Sequence, residues 1–177
     1  MTMTHILSLI PVVAFAAEPA SEIKIGERLP ELRGESLAGR EVVLPQAAEG
    51  RMALLLLGFT YKSRFGVEAW AERFRALFHS DPRVTFYELP MIGGAARLAR
   101  WFIDRGMRRG TPEQDYGHVI TVYRGVDSWK RRVRFVEPDA AYVILLDSKG
   151  KVAWRHQGAF EESAFQALSR KISELVN

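Results

Sequence analysis

The sequence predicts an α/β domain in which a mixed central sheet is flanked by helices on both faces and preceded by an N-terminal β-hairpin. Three observations carry that expectation. Residues 52–59 (MALLLLGF) form an unbroken apolar run, as required of a central strand buried on both faces. The segments that follow alternate between strand and helix periodicity, which joins strands through crossing helices. The chain then closes with a second hairpin and an amphipathic helix.

The elements are expected in this order. Around Leu32 and Val42-Val43-Leu44, apolar positions separated by Gly34, Gly39 and polar residues predict two short strands joined by a turn. Residues 65–78 carry Val67, Trp70, Phe74, Leu77 and Phe78 at helical spacing, with Glu68, Glu72, Arg73 and Arg75 between them. Residues 84–89 (VTFYEL) read as a strand stopped by Pro90. Residues 95–107 read as a helix with Leu98, Trp101 and Phe102 turned inward, followed by a strand over 119–123 and a short basic helix over 126–133. Residues 142–146 and 152–155 form the late hairpin around Ser148-Lys149-Gly150. The last helix spans 160–176, with Phe165, Leu168 and Ile172 on its apolar stripe. No internal repeat or low-complexity segment interrupts the series.

With 177 residues and 47% apolar composition, the chain suits one globular domain. It contains no cysteine, which removes disulfides, thiolate metal sites and thiol nucleophiles together. The four histidines (His5, His79, His118, His156) lack the i, i+4 pairing of helical metal ligands. The formal charge of +4 is unevenly spread. Residues 97–109 hold five arginines against Asp104, and residues 124–134 hold five basic residues against Asp127, each segment netting +4 and leaving −4 on the rest. Such polarity suits an acidic protein partner or an anionic membrane surface. No nucleic-acid recognition motif is present, so nucleic acid is not an expected partner.

The first residues read as a separate unit. Residues 6–16 (ILSLIPVVAFA) have the length of a signal h-region, and Ala14 and Ala16 supply small residues for cleavage. The run falls short of the roughly 20 apolar residues of a membrane span. The expected division is a leader over 1–17, a polar linker over 18–24 and a domain over 25–177. This predicts an exported protein, periplasmic or otherwise facing a membrane.

Three stretches resemble the thioredoxin-like superfamily. "GERLPELRGESLAGREVVL" is similar to the N-terminal hairpin of peroxiredoxins and thiol-disulfide oxidoreductases. "LLLLGFTYKSRFGVEAW" is similar to their first central strand and the loop into the active-site helix, and "AAYVILLDSKGKVAWRHQG" to their late hairpin. Redox members carry Cys-x-x-Cys at the helix start, and copper chaperones of the SCO type carry Cys-x-x-x-Cys after Gly-Phe-Thr. Here Gly58-Phe59-Thr60 is present, but Lys62 and Gly66 stand at the cysteine positions and Ala141 at the place of the usual cis-proline. Within the superfamily, the Phe-rich strand before Phe65-Gly66, Trp70, residues 119–123 and residues 142–154 resemble the mitochondrial ATP synthase assembly factors of the "ATP ten" type and their bacterial relatives. That resemblance implies a thioredoxin-like fold and a non-catalytic role in assembling a membrane complex such as ATP synthase. The alternative it leaves is a degenerate redox enzyme, or an SCO-type metal carrier, without the cysteine pair.

No cofactor motif is evident, since Gly93-Gly94 lacks the spacing of a dinucleotide loop. Ser63 lies near the former nucleophile position, but no nearby histidine could serve as its base. Tyr61, Lys62, Ser63 and Arg64 occupy the loop at a helix N-terminus, where backbone N–H groups and two cations could hold an anion or a partner. Trp129 beside Lys130, Arg131 and Arg132 suggests an aromatic at a membrane or protein interface, whereas periodicity places Trp70, Trp101 and Trp154 in or near the core. The candidate binding residues are thus Tyr61 to Arg64 and Trp129 to Arg132.

Overall fold

The computed structural model describes residues 20–176, so the expected leader and the first part of the expected linker lie outside the described residues. Seven strands and four α-helices follow in the order β1 (Leu32–Ser36), β2 (Glu41–Leu44), β3 (Met52–Gly58), α1 (Ser63–Phe78), β4 (Val84–Pro90), α2 (Arg100–Gly110), β5 (Ile120–Thr121), α3 (Val126–Arg132), β6 (Ala141–Leu146), β7 (Val152–Gly158) and α4 (Glu162–Val176). The main sheet has the order β4-β3-β6-β7, with β3 parallel to β4 and antiparallel to β6. The hairpin β1-β2 pairs through β1 with β5 in a second, three-stranded sheet. Parallel bridges Glu88–Val119 and Met91–Val122 tie that layer to β4.

Strand β3 explains the layering. Its side chains alternate between faces with a period of two. Ala53, Leu55 and Leu57 enter a core built with Leu32 and Leu44 of the hairpin and Val126 and Trp129 of α3. Met52, Leu54 and Leu56 enter a second core built with Trp70 and Phe74 of α1 and Phe165, Leu168 and Ile172 of α4. Every residue from Met52 to Leu57 is buried, which is why the run carries no polar residue.

Three local expectations are corrected. Residues 20–24 are not a free linker: Ile23 is 3% exposed and donates its N–H to Arg132 O, while Glu22 pairs with Arg155 at 3.2 Å. The strand expected over 119–123 is split in its pairing, with residues 120–121 on β1, residue 119 on β4 and residue 122 on Met91 just beyond it. The helix expected over 95–107 begins as a 3-10 turn at Gly94–Ala99, continues as α2, and is turned the opposite way about its axis. Its Asp104 is buried, whereas Leu98, Trp101 and Phe102 are 86%, 62% and 72% exposed. Polar contacts impose the inversion: Tyr123 donates to Asp104 at 2.6 Å, Arg100 pairs with Glu35, and Arg108 donates to Leu37 O at 2.8 Å.

Gly34 fixes the approach of β1 to β5. A Cβ at this position would lie 2.6 Å from Ile120 Cγ2 and 2.8 Å from the Thr121 carbonyl oxygen. Since one of the two obstacles is backbone, Gly34→Ala should cost about 1–3 kcal/mol, as overpacking does. Urea unfolding monitored by circular dichroism checks this; an unchanged midpoint would contradict the β1–β5 pairing. Among the described residues, no helix is long and apolar enough to cross a membrane.

Candidate partner-binding site

The parallel register pairs Gly58 at the end of β3 with Pro90 at the end of β4. Chain leaving these strand ends therefore gathers at one end of the sheet. Residues 60–63 there form a reciprocal cap on α1. Ser63 N–H donates to Thr60 Oγ1 and Thr60 N–H donates to Ser63 Oγ, both at 3.1 Å, so two otherwise orphaned donors are satisfied. Thr60 Oγ1 donates onward to Asp139 Oδ1 at 2.8 Å, and Lys62 Nζ lies 3.9 Å from the same carboxylate. The loops 60–64 and 138–141 are thereby joined. Gly66 lies against the start of β6, where a Cβ on it would meet Ala141 Cβ at 3.5 Å.

This geometry divides the candidate residues. Ser63 is fully buried, and its hydroxyl donates to Thr60 O at 2.8 Å, so it serves as a cap and offers no surface contact. Lys62 is exposed but already has Asp139 as its partner. Asp139 also places a carboxylate near the positive end of the α1 dipole, the role the sequence left open for an external anion. Tyr61 and Arg64 remain outward. The Arg64 guanidinium lies 4.3 Å from the Tyr61 ring centroid and 4.6 Å from that of Phe65, and both rings are more than half exposed. Cation–π stacking of this kind holds a flat, partly apolar surface open to solvent.

The second candidate group is corrected more sharply. Trp129 is 4% exposed and belongs to the core beneath the hairpin, with Arg132 set 6.0 Å above its ring. Lys130 Nζ lies 5.0 Å from the Phe135 ring centroid, so both cations place their charged groups over aromatic faces. Arg131 alone of the three is exposed. Periodicity had put Trp101 inside and left Trp129 outside; the structure exchanges them.

The thioredoxin-like resemblance implies that residues 138–141 meet residues 61–64 at this end, and Asp139 does so, whereas neither Phe65 nor Val136 is expected on this surface. Val136 is 71% exposed, held out by a loop whose Val136 and Glu137 N–H groups both donate to Tyr142 Oη. Tyr142 packs with Phe59 and Phe135, at ring separations of 5.4 and 5.8 Å, as the floor of that loop. A cleft of about 440 Å3 opens beside it, lined in part by Ile25, Val136, Arg134 and Arg155. Among the described residues, no group of three or more His, Asp or Glu side chains is placed to hold a metal.

Comparison with solved structures places this geometry in a known setting. The chain superposes with a TM-score of 0.59 on a candidate thiol:disulfide interchange protein DsbE from Chlorobium tepidum, at 14% identity over 88% of this chain and 100% of that one. The fold is thioredoxin-like. A peroxiredoxin-like protein from Aquifex aeolicus gives the same TM-score of 0.59, at 15% identity over 85% of this chain and 88% of that one. BsSco, a member of the Sco family of cytochrome c oxidase assembly proteins, gives 0.57 at 12% identity over 85% of this chain and 95% of that one. No family model and no curated protein sequence matches the chain.

Proposed function

We propose that this protein is a non-catalytic thioredoxin-like module, exported and facing a membrane, that binds a protein partner during assembly of a membrane complex such as ATP synthase. The observation that carries the reading is the Tyr61–Arg64–Phe65 stack, exposed at the start of α1 in a chain without a thiol. Thiol exchange requires a thiolate nucleophile, and Lys62, Ser63 and Gly66 supply none. Rings and a guanidinium on a rigid cap are instead the side chains that dominate binding hot spots. BsSco, by its name an assembly protein of cytochrome c oxidase, lends the reading an analogy of fold.

Two measurements test it. The protein should neither reduce insulin disulfides nor consume peroxide above a blank, and sustained turnover in either assay would end the non-catalytic reading. A photo-crosslinker at Tyr61 should capture a subunit of a membrane complex in the native host. The combined variant Tyr61→Ala/Arg64→Glu/Phe65→Ala should then lower affinity for that subunit at least tenfold, about 1.4 kcal/mol or more. All three side chains are exposed, so the fold should persist, and an unchanged melting midpoint validates the comparison. Undiminished binding by this variant would remove the surface from consideration.

A further inference from the structure

We propose that the outward face of α2 docks on an anionic phospholipid bilayer. The inference starts from the inversion of this helix. Amphipathic helices on globular domains turn their apolar stripe to the core, and α2 does the reverse. Its polar side is fastened inward by Asp104, Arg100 and Arg108, which contact Tyr123, Glu35 and Leu37 O. Tyr116 Oη adds a further bond to Arg108 O at 2.9 Å. Four partners on three segments of chain hold the orientation, so the exposed side is the one the fold selects.

That exposed side has the composition of an interfacial helix. Trp101, Arg105 and Arg109 recur at four-residue spacing and share one face, with Phe102 beside them and Leu98 on the preceding turn. Trp101 and Phe102 meet edge to face at 4.8 Å, and Arg105 lies 5.3 Å from the Trp101 ring centroid. Ala95, Ala96 and Ala99 add small, exposed positions along the same turn. Arg97, Arg105 and Arg109 are exposed, and Asp104, the one acidic residue between 97 and 109, is turned into the protein. The exposed charges that α2 and its preceding turn set beside these apolar side chains are therefore all positive.

Charge complementarity and shape select the occupant. Leu98, Trp101 and Phe102 stand out from the helix and line neither the cleft beside Tyr142 nor the one beside Tyr123. Side chains of this kind reach about 5–10 Å into the headgroup and acyl boundary when a helix lies in the membrane plane. Tryptophan favours that depth, and arginine stems extend back to the phosphates.

The test uses the full chain and vesicles without protein, so its outcome is independent of the partner reading. Of the four tryptophans Trp101 is the exposed one, which makes it a local probe of α2. Phosphatidylcholine vesicles containing phosphatidylglycerol and bromine-labelled acyl chains should quench wild-type fluorescence, and Trp101→Phe should lose that quenching. The variant Leu98→Ser/Trp101→Ser/Phe102→Ser should sediment with these vesicles at least roughly tenfold more weakly. Arg97→Gln/Arg105→Gln/Arg109→Gln should remove the preference for the anionic lipid, and raised salt should mimic it. Wild type and variants share residues 1–19, so any lipid affinity of that segment cancels. Absence of Trp101 quenching, or equal quenching with phosphatidylcholine alone, overturns the proposal and leaves this face to an acidic protein.

Discussion

Trp70→Ala should be the most damaging single substitution in the domain, lowering stability by about 3–5 kcal/mol. Trp70 is fully buried and central to the core between the sheet and the helices α1 and α4. Its ring lies 5.3 Å from Phe160, 5.4 Å from His156, 6.1 Å from Phe165 and 6.2 Å from Trp154. Truncation to alanine would remove one side of each contact and leave a cavity bounded by rings on four sides. For a domain of this size the melting midpoint should fall by roughly 10 °C. Trp70→Phe makes an informative companion. The indole Nε1 is buried without a hydrogen-bond partner among the described residues, so phenylalanine removes a polar atom that contributes nothing there. Its cost should stay below about 2 kcal/mol. Near-ultraviolet circular dichroism during thermal unfolding checks both. If the alanine variant melts within a few degrees of wild type, α1 is not anchored through this residue. The functional link is positional: Trp70 seats α1 on the sheet, and α1 carries the Thr60–Ser63 cap and the Tyr61–Arg64–Phe65 stack at its start.

What could be read from the sequence follows how each feature is encoded. The strand over 52–59, the helix bearing Trp70 and the last hairpin all stand in the structure close to their expected bounds. Each carries its own instruction: a run too apolar to face water on either side, or a stripe with only one oily face. Residues 95–107 carry no such instruction. Arginines occupy both sides of this helix, so only the helical period sends the stripe of Leu98, Trp101 and Phe102 inward. The deciding contact joins Asp104 to Tyr123, nineteen residues away, and no local pattern announces it. Trp129 failed for the converse reason. Its basic neighbours suggested a surface, but at three-residue spacing it shares a face with Val126, and that face meets the hairpin. The candidate site was half legible. The resemblance implies both residues 61–64 and their meeting with residues 138–141, whereas the burial of Ser63 and the bond from Thr60 to Asp139, 79 residues on, are side-chain details that no local pattern announces.

The second large effect is a pH-dependent loss of stability set by Glu88. This residue stands in β4, half-buried, with its backbone N–H donating to His118 O at 2.8 Å. Burial raises its carboxyl from an ordinary 4.5 to about 7; Arg75 opposes the shift, while Glu68 and Asp115 reinforce it. Arg75 is a weak counterweight because its guanidinium is engaged with Asp115 at 2.8 Å. A folded-state pKa above the unfolded value means that the native protein holds a proton the unfolded chain has already released. Stability from this group is therefore complete below about pH 4.5 and falls as pH rises to about 7. The full shift corresponds to at most about 3 kcal/mol, and solvent reaching a half-buried side chain reduces it. Glu88→Gln keeps the shape and removes the titration. The variant should match wild type near pH 4 and exceed it by up to about 2–3 kcal/mol at pH 8. Urea unfolding of both proteins across that range isolates Glu88, because the other titrating groups are shared and cancel. Arg75→Gln, which removes the opposing charge, should move the decline to higher pH. A difference between wild type and Glu88→Gln that stays constant from pH 4 to 8 would mean that the carboxyl titrates alike in the folded and unfolded chains, and that burial in β4 does not hold its proton.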